Sequence, residues 1–87
     1  SVSSEAISAG GEDARDGWIA IGLQRPTEFA RFLNAKTLAE QELWVERLAE
    51  RAESRGLLVE LVGALDSSGD AAAGVLAGDF RAARNSR

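Results

Sequence analysis

The residues that come closest to doing chemistry are Asp66-Ser67-Ser68-Gly69, set between the apolar run Leu57 to Leu65 and an Ala-rich final segment. A serine at the start of a helix lies at the positive end of the helix dipole. A phosphate added there would meet free backbone N–H groups, or would disrupt a partner surface that had been apolar. The same residues also suit a plain turn, since Asp and Ser cap helices and Gly supplies positive φ. Either Ser67 or Ser68 could then cap the final segment.

Other chemistries have little to stand on. The 87 residues contain no Cys and no His, which removes disulfides, thiolate nucleophiles, imidazole bases and Cys/His zinc sites. Fourteen carboxylates are present, yet no two fall on an expected apolar surface where burial would raise a pKa for acid and base work. Glu60, inside the Leu57 to Leu65 run, either faces water or is paired. Asp66, Asp70 and Asp79 lack the ligand ladder and closing Glu of an EF-hand, and GDARDG lacks the spacing of a phosphate loop. Gly74-Val-Leu-Ala-Gly78 is a hint of close packing. The expectation is therefore no enzyme, no catalytic residue, no metal and no cofactor.

Charge and hydropathy bound the partners. The net charge is −4, and the single Lys and the Arg residues alternate with acids instead of forming a block, which disfavours nucleic acid and anionic membrane. No run approaches the roughly 18 apolar residues that span a bilayer, and SVSSEAISAGGED has no signal-peptide pattern. A cytoplasmic location is expected. With 45% hydrophobic and 28% charged residues the chain has the composition of a folded domain.

The elements that must position the turn are read from pattern. Residues 1–16 are expected to form a flexible arm or edge strand, and 17–87 a single small α/β domain. Trp18 to Leu23, WIAIGL, is a short bounded apolar run that suits a buried strand. After Pro26, TEFARFLNA fits a helix capped by Thr27 slightly better than a strand. Thr37 to Gly56 is the clearest helix: Thr37 and Glu40 form a capping box, Leu38, Gln41, Trp44, Val45, Leu48 and Ala52 trace one face, and Gly56 closes it. Glu42, Glu46 and Glu50 beside Arg47, Arg51 and Arg55 give it a solvated outer face. Leu57 to Leu65, LLVELVGAL, is expected as a central strand, and Ala71 to Arg84 as a helix that needs a surface to lean on because of Gly74 and Gly78. The expected fold class is α/β, a small sheet of few strands covered by helices. Two strands are few for a sheet, so a third comes from the N-terminal arm or from a second chain.

Two stretches together resemble STAS domains. RPTEFARFLNAKTLAEQ, Arg25 to Gln41, looks like the RPxGxLFFANAxxL stretch of the sulfate-permease type. LLVELVGALDSSGDAAAGVLAGDFRAAR looks like the family's LVVDLSGVxxLDSSGLxxLLxxxRxAR, and the 32-residue spacing from Asn34 to Asp66 is similar. The resemblance spans Gly17 to Arg84. It implies a non-enzymatic regulatory domain of the kind found in anti-sigma factor antagonists and at the cytoplasmic ends of anion transporters. It also implies that Ser67, the first serine of DSSG, is phosphorylated by a partner kinase, releasing the partner. A rival, local resemblance links FLNAKTLAEQELWVERL, Phe32 to Leu48, to the last strand and C-terminal helix of pleckstrin-homology domains. That resemblance makes TEFARFLNA a strand and leaves Leu57 to Arg87 as an extension.

The function expected from these readings is protein contact, with the turn Asp66, Ser67, Ser68 and Gly69 as the switch surface. The partner is another protein, either kinase- or anti-sigma-like or a larger assembly. The alternative is a structural subunit that works by homo- or hetero-oligomerisation, a homodimer included.

Overall fold

Five helices carry the described residues, 14–85, of the computed structural model, and no strand occurs among them. In chain order they are α1 (residues 14–24), α2 (Pro26–Asn34), α3 (Leu38–Ser54), α4 (Leu58–Ser67) and α5 (Ala71–Asn85). The α/β expectation is thereby corrected. Both expected strands are helices: WIAIGL lies within α1 and LLVELVGAL forms α4. The expected arm, residues 1–16, falls largely outside the described residues, and its last three belong to α1.

The physical reason is visible in which residues are buried. In α4 they are Leu58, Leu61 and Leu65, at helical spacing, while Val59 and Gly63 face solvent. A strand would have buried alternate residues and left Leu58 and Leu61 on opposite faces. In α1, Ile19 and Gly22 are buried three residues apart.

Short joints set the helix directions. Pro26 disfavours helical geometry at the preceding residue, and Arg25 (φ −135°, ψ 67°) breaks α1 from α2, with Pro26 in the first turn of α2 where its missing N–H costs nothing. The helix reading of TEFARFLNA holds, but Arg25, not Thr27, occupies the cap position. Between α2 and α3, the Thr37 side chain accepts a hydrogen bond from the Glu40 N–H (3.2 Å). The Gln41 amide reaches back to donate to the Leu33 carbonyl (3.2 Å) and to Asn34 Oδ1 (2.8 Å), closing the end of α2. At the end of α3, Gly56 adopts φ +72°, with its N–H on the Glu53 carbonyl (3.0 Å) and the Leu57 N–H on the Ala52 carbonyl (2.7 Å), a Schellman cap.

The core lies where α1 and α5 meet α2, α3 and α4, and among the described residues its buried members are all hydrophobic, with the Trp44 indole N–H its one buried polar atom. Ile19, Phe29, Leu33, Trp44, Leu48, Leu61, Leu65, Leu76 and Phe80 are its large members, each at most 1% exposed. Gly22 marks a close approach of α1 to α4: a Cβ there would stand 2.6 Å from Leu61 Cδ1. Asp16 ties α1 to the end of α3, bonding Arg51 Nε (2.8 Å), Arg51 Nη2 (3.1 Å) and Arg55 Nη1 (3.0 Å).

Candidate interaction surface

The Asp66 to Gly69 stretch is a helix-to-helix turn. Asp66 and Ser67 belong to the last turn of α4, Ser68 is its C-cap, and Gly69 takes φ +77°. Ser68 Oγ donates to the Leu65 carbonyl (2.8 Å) and accepts from the Asp70 N–H (3.2 Å). The cap of α5 is Asp70, whose Oδ2 accepts the Ala73 N–H (3.1 Å), so neither serine opens the following helix. Exposed Ser67 thus sits at the carboxyl end of a helix, where the dipole disfavours added negative charge.

The three aspartates nearest in pattern to a calcium loop have separate tasks. Asp66 pairs with Arg81 of α5, Asp70 caps α5, and Asp79 lies beside α3. Among the described residues no group of three or more acids is placed to hold a metal ion. Glu60 is exposed.

The feature that sequence reasoning missed is the outer side of α5. This helix buries Ala73, Leu76, Ala77 and Phe80, and the opposite side presents Ala71, Gly74, Val75, Gly78 and Ala82, with no charge among them. Val75 is 69% exposed, and Val59 on neighbouring α4 is 64% exposed. Nothing lies within 4 Å of where a Cβ would stand on Gly63, Gly74 or Gly78. Among the described residues, the GxxxG pair therefore packs closely against nothing. Each helical glycine costs about 1 kcal/mol relative to Ala without an internal contact to explain it.

The two shoulders of this face carry opposite charge. Between α3 and α5 runs an open groove of about 430 Å³ over Val45 and Ala83, edged by Glu42, Glu46, Glu50 and Asp79, with Arg47 the one cation in its lining. Between α4 and α5 a second groove of about 330 Å³, over Val59, Val62 and Gly63, is edged by Arg81 and Arg84. An aromatic cluster joins α1, α2 and α3. Trp18 stacks on Phe32 (4.1 Å between centroids), and the Lys36 ammonium lies 4.1 Å from the Phe32 ring and 4.7 Å from the Trp44 ring.

No known family model, curated protein or solved structure matches the chain. The STAS and pleckstrin-homology resemblances are corrected on two grounds. No family model supports either, and both families need strands where this chain has helices. The DSSG turn of the first requires a preceding strand but here follows α4, while the last strand of the second falls on α2. No helix among the described residues is long and apolar enough to cross a membrane.

Proposed function

We infer that this protein is a non-enzymatic interaction module that works by presenting the α4–α5 face to another protein. The observation that carries the reading is the uncharged outer side of α5, with Val75 exposed there, Val59 exposed on α4, and three helical glycines whose Cβ positions meet nothing within 4 Å among the described residues. Exposed apolar surface rimmed by charge marks sites of protein contact, and the uncharged side of α5 around Val75 is the surface of this chain that resembles one. The Asp66 to Gly69 turn enters as a neighbour of the face. A phosphate on Ser67 would repel Asp66 and Asp70 and loosen the last turn of α4, and with it the Asp66–Arg81 pair that holds α5.

A photo-reactive residue in place of Val75 tests this, with the same residue in place of exposed Gln24 on α1 as the control. In the cells that make the protein, Val75 should give a discrete cross-linked species and Gln24 should not. Equal yields from the two positions would overturn the reading.

A further inference from the structure

We propose that Lys36 is a charge latch on α1 and the site at which an acyl donor loosens it. While the Lys36 ammonium is intact α1 stays docked, and acylation of the amine raises the fraction of molecules in which α1 opens. The inference stands apart from the α4–α5 face and goes beyond it.

The seat of the latch is built from rings. Phe32 of α2 and Trp44 of α3 meet nearly perpendicular, at 76° and 5.2 Å between centroids, and the Lys36 ammonium lies in their corner, 4.1 Å from the Phe32 centroid and 4.7 Å from that of Trp44. The same two rings receive α1. Trp18 stacks on Phe32 at 4.1 Å and meets Trp44 edge-on at 5.4 Å. Ammonium and indole stand equally near the Phe32 centroid, too near to share a side, so they take opposite faces of that ring. Trp44 is 1% exposed and its indole N–H has no hydrogen-bond partner, so packing and the ammonium position this wall of the seat.

The choice of residue points to the chemistry. Lys36 is the only Lys among the 10 basic residues of the chain, and it stands at a cation–π seat, where Arg is the commoner cation. A guanidinium is planar and permanently charged, whereas an ammonium is a compact charge that a covalent change can remove. Lys36 is half-buried, not enclosed. In the reaction its amine, after losing a proton to solvent, attacks the carbonyl carbon of an acyl thioester. The N–C bond forms, the C–S bond breaks and the thiolate leaves. A neutral amide then stands where the cation was, and the two rings that hold Trp18 lose the charge between them. The Asp16 clamp and the Gly22 contact remain, so acylation shifts an opening equilibrium without detaching α1 outright. An opened α1 uncovers Phe29 and Leu61, buried residues that Gly22 overlies.

The test is amide hydrogen exchange on the full chain with acetyl-lysine installed at position 36, beside the neutral variant Lys36→Gln and the charged variant Lys36→Arg. Exchange in α1 should quicken about three- to thirtyfold in the acetylated chain and in Lys36→Gln, the range that a cation–π contact is worth, while α5 stays unchanged. Lys36→Arg should quicken it less, since the charge is kept. In a Phe32→Leu chain, which lacks the seat, acetylation should make no further difference, and Trp18→Leu serves as a second such background. Unchanged α1 exchange in the acetylated chain overturns the latch. Equal quickening of α1 and α5 overturns its action on α1, because Lys36 then supports the whole bundle. An undiminished effect in the Phe32→Leu and Trp18→Leu chains overturns the rings as its seat. Mass spectrometry of the protein from the cells that make it should find a fraction acylated at Lys36, and a residue unmodified through growth and starvation alike overturns acylation as the opening step.

Discussion

Replacing Gly22 by Ala, beside the same change at Gly17, isolates the packing of α1 on the bundle. The two glycines lie five residues apart in one helix, and neither has positive φ, so both substitutions gain the same helix propensity, about 1 kcal/mol. At Gly17 a Cβ meets nothing within 4 Å, so that gain is kept. At Gly22 the Cβ would lie 2.6 Å from Leu61 Cδ1 and 3.3 Å from Phe29 Cδ2. Carbon atoms rest about 3.5 to 4.0 Å apart, so Leu61 must retreat by about 1 Å. Leu61 is fully buried against neighbours that are themselves buried, and overpacking of that kind costs about 1 to 3 kcal/mol. Gly17→Ala should then gain about 1 kcal/mol and Gly22→Ala lose about 1, a separation of roughly 2 kcal/mol. In a domain of this size that corresponds to about 8 to 16 °C between the two melting temperatures. Thermal unfolding followed by far-ultraviolet circular dichroism at low micromolar concentration measures it. A Gly22→Ala variant as stable as Gly17→Ala would refute the close approach of α1 to α4.

Two further changes probe the joints. Asp70→Ala should cost about 1 kcal/mol by removing the α5 cap, and Asp70→Ser should restore most of it; urea unfolding with an unchanged slope is the measurement, and an Ala variant as stable as the parent would remove Asp70 from that role. The hydrogen bond from Arg51 to Asp16 holds this carboxyl below its ordinary value of 3.8, aided by the charges of Arg51 and Arg55 and opposed by desolvation. A lowered folded-state pKa gives stability that is present above the unfolded value and lost as pH falls through the folded one. Asp16→Asn should accordingly be less stable than the parent at pH 7, with the difference closing below about pH 4. A difference that stays constant down to the acid limb would rule out the clamp.

Legibility tracked the residues that act locally. Thr37 and Gly56 announce both ends of α3 because a capping side chain and a left-handed glycine work within one turn of where they stand. Leu57 to Leu65 and Trp18 to Leu23 mislead because a short apolar run with β-branched residues fits a buried strand and a buried helix alike. Packing decides between them, through the i, i+3, i+7 burial of Leu58, Leu61 and Leu65. That pattern is present in the sequence, masked by Val59 and Val62. The residues Asp66 to Gly69 are recognisable as a turn, but with α4 a helix the serines move from the start of one helix to the end of another. The outer side of α5 is half legible. The two glycines stand out, yet with Ala71, Ala72 and Ala73 beside them the small residues run all round the helix. Only Phe80 and Leu76 in the core fix which side faces out.

The aromatic cluster has an optical consequence. Trp18 and Trp44 meet edge-to-face at 5.4 Å between centroids, and the chain has no other Trp and no Tyr, so its near-ultraviolet emission arises at the α1–α3 junction. The α4–α5 hairpin carries neither residue. An emission trace therefore follows α1 leaving α3 and is blind to α5 peeling away, whereas ellipticity weighs every helix. Coincidence of the two signals on denaturation would show that the five helices melt as one cooperative unit, and an earlier loss of ellipticity would report that the hairpin lets go first.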